Sequence, residues 1–249
     1  MKLLEGAAPD DKHAWLVLVP FSPGRWLGKS WHLALLLAEA GLGSVLLMIA
    51  IEEDTPSQRQ AARETIEKAR SSYSGKAGIH ASVVLLDEFN KEIDKYIRNW
   101  SIDVLVDDIS DPIHYNLDQC PCAVAGVRGD VSEDEQDDGT IRRIIVPTSG
   151  GPNTIYALSL LAPLTPEVEV VAAYIVPEYL GDNEEALGRH RLKQTLDYID
   201  AGDKVETRLV HAASVTEGIR EVARDGDIVV IGASRESSID LMLFGNIPD

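Results

Sequence analysis

The same order of apolar and polar segments occurs twice in the chain, and the second copy begins 127 residues after the first. An apolar run that ends in Val19-Pro20 precedes Ser22, and a run that ends in Val146-Pro147 precedes Ser149. In both copies, runs rich in Val, Ile and Leu alternate with helical patterns, which is typical of parallel strands that are buried on both faces. The sequence therefore predicts an α/β fold of two tandem doubly wound parallel-sheet modules.

Residues with strong positional preferences predict where several helices begin and end. Thr55 suits an N-cap position because Pro56 follows it at N1. Ser214 and Glu217 form a capping-box pattern, and Gly41 suits a left-handed residue after the first helix. The predicted strands are 15–20, 45–51, 81–86, 104–106 and 120–127 in the first half, and 144–147, 168–176, 207–210 and 228–231 in the second; the predicted helices are 30–40, one entered at 55–56, 90–99, 153–162, 183–198 and 215–224.

An acidic stretch separates the two copies. Six carboxylates crowd into residues 130–139, and like charges with no apolar neighbours predict a solvated linker. We therefore expect a leader at 1–13, a divergent first domain at 14–129, the linker at 130–139 and a second domain at 140–249.

Charge and hydropathy exclude several classes of partner. The 249 residues include 41 Asp and Glu against 23 Lys and Arg, which gives a net charge of −18. Such a chain repels nucleic acids and anionic membrane surfaces. No apolar run approaches the roughly 18 residues that a membrane span needs, so this segment is not expected to insert directly. We expect a cytoplasmic protein.

The sequence indicates neither a metal site nor a catalytic constellation. Cys120 and Cys122 lie two residues apart, which favours small buried side chains over a disulfide. The six histidines are dispersed, and none has a partner at metal-ligand spacing. A Gly-x-Ser-x-Gly nucleophile elbow is absent from the sequence. We therefore expect no enzyme activity and no metal.

Three strings in the second half carry a resemblance to a known family. They are residues 146–153 (VPTSGGPN), 228–235 (IVVIGASR) and 243–248 (LFGNIP), and they resemble the universal stress protein family. The resemblance implies an adenine-nucleotide alpha hydrolase-like fold. The residues of these strings are similar to those of modules fused to prokaryotic transporters of the chloride-channel, amino-acid-permease and cation–chloride-cotransporter types. It implies a non-catalytic regulatory or scaffolding unit, the cytosolic domain of a membrane transporter.

The resemblance also implies a degenerate nucleotide site in the second module. ATP-binding members carry Gly, two residues, Gly, nine residues, Gly and Ser/Thr after the fourth strand, and those glycines admit phosphates close to the backbone. Arg235 replaces the second glycine here, and Ser149 stands where members carry an adenosine-contacting Asp. ATP is expected to bind weakly or not at all. The implied site comprises Ser149, Gly150, Gly232, Arg235, Gly245 and Asn246.

Two alternatives remain at this stage. One is a free-standing ATP-binding universal stress protein. The other is a P-loop hydrolase, because Gly28-Lys29-Ser30 matches the end of a Walker A loop and residues 104–108 (VLVDD) resemble a Walker B strand. Pro23 stands where Walker A needs glycine, and Trp26 is bulky where the loop should wrap phosphate. The simpler interpretation is a turn with Ser30 as helix N-cap and Lys29 solvated.

The resemblance also implies that the second domain lacks its last strand, and hence that it has a partner. Members of the family continue with a short helix and a fifth strand after the point that matches residues 246–249. A sheet without it exposes unpaired backbone groups along an apolar edge at 228–231, and proteins normally cover such edges. We expect the other half, a second subunit or residues beyond this chain to cover it. A homodimer is favoured because two-fold pairing is the commonest oligomer symmetry.

Overall fold

The computed structural model describes residues 14–23, 28–108, 122–127, 140–178, 182–224 and 227–230. The chain divides into two compact units, Met1–Thr140 and Ile141–Asp249. Each unit holds one parallel sheet with helices between its strands. The predicted α/β class with two parallel sheets is therefore confirmed. The predicted leader at 1–13 and linker at 130–139 lie outside the described residues.

The sheet of the first unit has five strands, and the described neighbours are all parallel. The strands are β1 Leu16–Phe21, β2 Ser44–Ile51, β3 Gly78–Leu85, β4 Val104–Asp108 and β5 Ala123–Val127. The three strands β1, β2 and β4 are buried along their whole length, as the apolar runs within them predict. The strand order β3-β2-β1-β4-β5 is that of a doubly wound fold, with β1 in the centre.

Three helices connect these strands: α1 Lys29–Ala40, α2 Pro56–Ser71 and α3 Phe89–Trp100. The apolar stripe of α3 shares a buried core with the sheet, as its helical spacing predicts. Trp31 of α1 is fully buried in the core of the first unit. Thr55 caps α2, and its Oγ1 accepts a hydrogen bond of 3.4 Å from the Gln58 amide.

The second unit repeats this order with four described strands. They are β6 Arg143–Pro147, β7 Glu169–Pro177, β8 Glu206–Ala212 and β9 Ile228–Val229, in the spatial order β8-β7-β6-β9. The helices are α4 Pro152–Leu161, α5 Asp182–Tyr198 and α6 Val215–Val222. Ser214 caps α6 and accepts a hydrogen bond of 3.2 Å from the Glu217 amide, which confirms the predicted cap.

The end of α1 differs from the prediction. Gly41 has φ −87°, and the left-handed residue is Leu42, at φ 50°. The physical reason for glycine at 41 is packing, because a Cβ there would overlap the side chain of Trp15. A Cβ on Gly43 would likewise overlap the Trp15 carbonyl oxygen. Both glycines thus admit the chain segment that leads into β1.

Two further sequence expectations can be placed in this fold. Cys122 is half-buried and packs against the core shared with α3, whereas Cys120 lies outside the described residues. Among the helices that the structure describes, none combines the length and hydropathy of a membrane span.

Candidate ligand site

The loop Thr148–Gly151 joins the central strand β6 to α4 at the carboxyl edge of the second sheet. β6 lies between β7 and β9, so the chain builds the sheet first on one side of β6 and then on the other. Open α/β sheets bind ligands at such a switch point, outside the carboxyl ends of the strands. The topology therefore gives this loop the position of a ligand site.

Hydrogen bonds hold the backbone of this loop in one conformation. The Thr148 amide donates to the Ala173 carbonyl on β7 at 2.8 Å, and the Gly150 amide donates to Thr148 Oγ1 at 2.9 Å. Gly150 has φ 84°, a left-handed conformation that glycine adopts without steric cost. The Ser149 side chain is exposed. Of the two predicted site residues in this loop, Ser149 is therefore exposed to solvent and Gly150 forms the tightest turn.

Arg191 is a site residue that the sequence analysis missed. Its Nη1 donates to the Ser149 carbonyl at 3.3 Å and to the Tyr174 hydroxyl at 3.2 Å. The aliphatic stem of Arg191 lies beside Gly150, where an added Cβ would be 3.4 Å from the Arg191 Cβ. In sequence, 42 residues separate Arg191 from Ser149, and a single arginine in a polar helix gives no local signal.

Tyr174 connects Arg191 to the start of α5. The Tyr174 hydroxyl donates to Glu184 Oε1 at 2.6 Å, and Gly188 leaves room for the tyrosine ring, which a Cβ there would overlap. Burial raises the pKa of Tyr174, and the hydrogen bond to Glu184 raises it further, against a lowering effect of Arg191. The hydroxyl therefore stays protonated at neutral pH and keeps Arg191 in place.

A groove between α4 and α5 opens beside this loop and is called the α4–α5 groove below. Its volume is about 530 Å³, within the range of sites for small molecules. Helix α5 supplies most of its wall, through four residues at the spacing i, i+3, i+4 and i+7 on one face and through Asp197 beside that face. The lining residues are Gly150, Ile155, Arg191, Gln194, Thr195, Asp197 and Tyr198.

Of the six predicted site residues, the structure describes two. Ser149 and Gly150 lie together in the loop after β6, as the resemblance implies. Gly232, Arg235, Gly245 and Asn246 lie outside the described residues, so their part in the site stays a prediction.

The corresponding edge of the first unit carries acids. Asp107 and Asp108 end β4, the neighbour of the central strand β1, and their exposed fractions are only 2% and 6%.

The prediction that Ser30 caps α1 is wrong, because Gly28 occupies the N-cap position and α1 begins at Lys29. Ser30 lies within the first turn and is buried, and its hydroxyl has no hydrogen-bond partner among the described residues.

Metal ligands do not cluster in the described part of the chain. No group of three or more His, Cys, Asp or Glu side chains there could hold a metal ion. His211 lies near a single carboxylate, with its Nε2 3.4 Å from Glu185 Oε2.

Comparison with known proteins shows similarity in structure. No family model matches the chain, and no curated protein matches it in sequence. A solved structure from Pseudomonas aeruginosa UCBPP-PA14, assigned as a universal stress protein, matches with a TM-score of 0.51 and 14% identity over 86% of this chain and 81% of that one. The fold is universal stress protein-like. Protein Rv1636 from Mycobacterium tuberculosis H37Rv matches 43% of this chain and 82% of its own length, with 20% identity and a TM-score of 0.32.

Proposed function

We propose that this chain is a non-catalytic regulatory or scaffolding unit, built from two universal stress protein-like modules. It works in the cytoplasm as the soluble domain of a membrane transporter, forms a homodimer, and retains a degenerate nucleotide site in its second module. The universal stress protein-like fold supports the modular part of this proposal. The transporter part rests on the similarity of residues 146–153, 228–235 and 243–248 to modules that are fused to transporters.

The observation that carries the non-catalytic assignment is the pair of buried acids in the first unit. Asp107 and Asp108 occupy the carboxyl end of β4, where parallel α/β folds place their ligands. In the family pattern a glycine follows the fourth strand at this point, so that phosphate can approach the backbone. Buried carboxylates there repel phosphate instead, which favours a first unit without a nucleotide.

The second unit keeps part of a nucleotide site. Gly150 retains the tight turn after the central strand, and the N-terminus of α4 follows directly, with Gly151 as its N-cap. A helix N-terminus favours an anion. Arg235 replaces a family glycine in the sequence, so we expect ATP with magnesium to bind more weakly than micromolar.

Two measurements test this proposal. Titration calorimetry with ATP and magnesium should give weak binding or none, and a phosphate-release assay should give no turnover. An immunoblot of fractionated source cells tests the transporter part: we expect a membrane-bound polypeptide much larger than 27.2 kDa. A free polypeptide of that mass outside the membrane fraction would support the free-standing universal stress protein instead.

A specific observation favours a P-loop hydrolase as a second candidate. Gly28 caps α1, Lys29 and Ser30 open it, and the adjacent strand β4 ends in Asp107 and Asp108. A Walker A loop places its Lys and Ser at the same point, with a magnesium-binding carboxylate on a nearby strand. ATP hydrolysis that is lost in Lys29→Ala but kept in the control Lys91→Ala, on α3, would establish this candidate. Under our proposal neither protein releases phosphate.

A further inference from the structure

The chain carries no charged side chain from Ile144 to Pro166, although 26% of all its residues are charged. Burial explains the part of this segment that forms β6, which is buried except at its last residue. Burial does not explain α4, because Asn153, Tyr156 and Ser159 are exposed. Among the helices that the structure describes, α4 alone has no Asp, Glu, Lys or Arg.

One flank of α4 faces α5, and the opposite flank is open. Ile155 lines the α4–α5 groove and so marks the flank that faces α5. Asn153, Ala157 and Leu160 follow at the spacing i, i+4 and i+7, which places them together on the opposite flank. α6 packs on the other face of the sheet from α5, so no described helix of the second unit covers this flank. These three residues and Tyr156 are called the α4 face below.

The α4 face combines an exposed aromatic ring with small and aliphatic side chains. Tyr156 is 51% exposed, and Ala157 and Leu160 are half-buried. Tyrosine is a common anchor of protein interfaces, because it buries a large rigid ring at a small entropic cost. Scattered apolar residues are normal on a surface, but a helix face without charge on a chain of net charge −18 indicates a contact surface.

Charge favours a second copy of this chain as the partner. Two molecules of charge −18 repel each other, so copies are expected to associate where contact brings few like charges together. The α4 face meets that condition, because two copies of it bury no charged side chain on each other. A basic partner would instead need a surface that carries carboxylates, and the α4 face has none.

The edge of β9 lies at the same end of the second unit. β9 pairs with β6, and α4 packs on β6. α5 packs on β7 and β8, on the side away from β9. A copy seated against the open flank of α4 therefore lies beside the β9 edge, which has no further strand against it within the described residues.

We propose that the α4 face is the surface through which two copies of this chain associate around a two-fold axis. The axis passes near Ala157, so the two α4 helices pack flank to flank and the same residues face one another. The inference rests on the proposed function, since it names the surface that forms the proposed homodimer.

The first experiment measures the dissociation constant of the dimer by sedimentation equilibrium of the full chain and its variants. Ala157→Glu places two like charges in the interface and should weaken the dimer about a hundredfold. Tyr156→Ala removes the exposed ring and should weaken the dimer about tenfold. Tyr156 is exposed, so its variant tests the surface even where Ala157→Glu fails to fold. The matched control is Val215→Glu on α6, at an apolar residue that is 54% exposed, and it should leave the dissociation constant unchanged.

The second experiment tests the two-fold axis by pairing opposite charges. Ala157→Glu and Ala157→Lys should each be monomeric at a concentration at which the parent is dimeric. An equimolar mixture of the two should form a heterodimer, because residue 157 of one copy then faces the opposite charge on the other. A mixture that stays monomeric would overturn the packing of α4 on α4.

The salt dependence of the parent dimer is an independent check. Sodium chloride screens the repulsion between two acidic molecules, so the dimer should become tighter as salt is added. A dimer that becomes weaker in salt is held by ion pairs, and that result would contradict an uncharged interface.

These measurements distinguish a failure of the α4 face from a failure of the proposed homodimer. A dissociation constant that is the same in the parent, Ala157→Glu and Tyr156→Ala refutes the α4 face and leaves the homodimer intact. A parent chain that is monomeric at every concentration refutes both.

Discussion

Arg143 Nη1 lies 2.8 Å from Asp227 Oδ2, and both side chains are buried, with exposed fractions of 4% and 7%. Leu16 holds the position of Arg143 in the first unit, 127 residues earlier, and its backbone amide donates to Asp103 Oδ2 at 2.8 Å. Asp103 and Asp227 each precede the strand that pairs with the central one. In both units an aspartate therefore links the start of the central strand to its neighbour, through a backbone amide in one and a guanidinium in the other.

We predict that Asp227→Asn destabilises the second unit by about 3 kcal/mol, because it leaves the buried charge of Arg143 without its closest carboxylate. Glu169, the other carboxylate partner of Arg143 at 3.0 Å, is 44% exposed and compensates little. Urea unfolding followed by circular dichroism measures the change. Glu185→Gln is the matched control, since Glu185 pairs with Arg189 at the surface, away from Arg143. The control should change the unfolding free energy by less than about 1 kcal/mol. Equal stability of the two variants would contradict a structural role for the buried pair.

The parallel-sheet class could be predicted because the central strands are buried on both faces and therefore contain long apolar runs. Helix boundaries that depend on local hydrogen bonds, such as the caps at Thr55 and Ser214, were also predictable. The end of α1 was not. Glycine at 41 is required by the side chain of Trp15, which lies far from it in sequence, and no local rule contains that contact. The left-handed residue is Leu42 instead, where local bonds from the Leu42 amide to the Glu39 carbonyl and from the Gly43 amide to the Ala38 carbonyl end the helix.

Thr55→Ala should lower the free energy of unfolding by about 1 kcal/mol, because the first turn of α2 loses the hydroxyl that accepts from the Gln58 amide. Thr55→Ser retains a hydroxyl at the same place and should restore most of the loss. Denaturant melts of the three proteins measure the differences. An alanine variant as stable as the parent would show that the cap makes no net contribution.

Tyr73 should make stability depend on pH in alkaline solution. Burial and the hydrogen bond from its hydroxyl to Glu39 Oε1 raise the pKa of Tyr73 from 10.0 to about 12. Because the folded state holds the proton more tightly, this contribution to stability is complete below pH 10 and is lost as the pH rises towards about 12. We expect the stability advantage of the parent over Tyr73→Phe to shrink across that interval.

The measurement is the free energy of unfolding of both proteins at a series of alkaline pH values. Tyr198→Phe, at a tyrosine that is 79% exposed, is the matched control and should follow the parent at every pH. A constant difference between parent and Tyr73→Phe up to pH 12 would refute the role given to Tyr73.

The candidate site was only partly visible in the sequence, for a physical reason. Gly150 belongs to a turn that local chemistry dictates, so its place could be predicted from the residues around it. Arg191 reaches the same loop from α5, and only the packing of α5 on β7 through Gly188 and Tyr174 brings it there. A contact that depends on how a helix lies against a sheet leaves no signature in either segment alone.

The edge strand β9 leads to a prediction about assembly. Among the described strands β9 ends the second sheet, and the Val230 amide donates to the Ile145 carbonyl of β6 at 2.8 Å. Backbone amides alternate in direction along a strand, so the amide of Val229 points away from β6. Within the described residues no further strand covers this edge, and an uncovered edge invites pairing with another chain. We expect a homodimer of twice 27.2 kDa by light scattering at micromolar concentration, and slow hydrogen exchange at the Val229 amide. A monomeric mass together with fast exchange at Val229 would show that this edge has no partner.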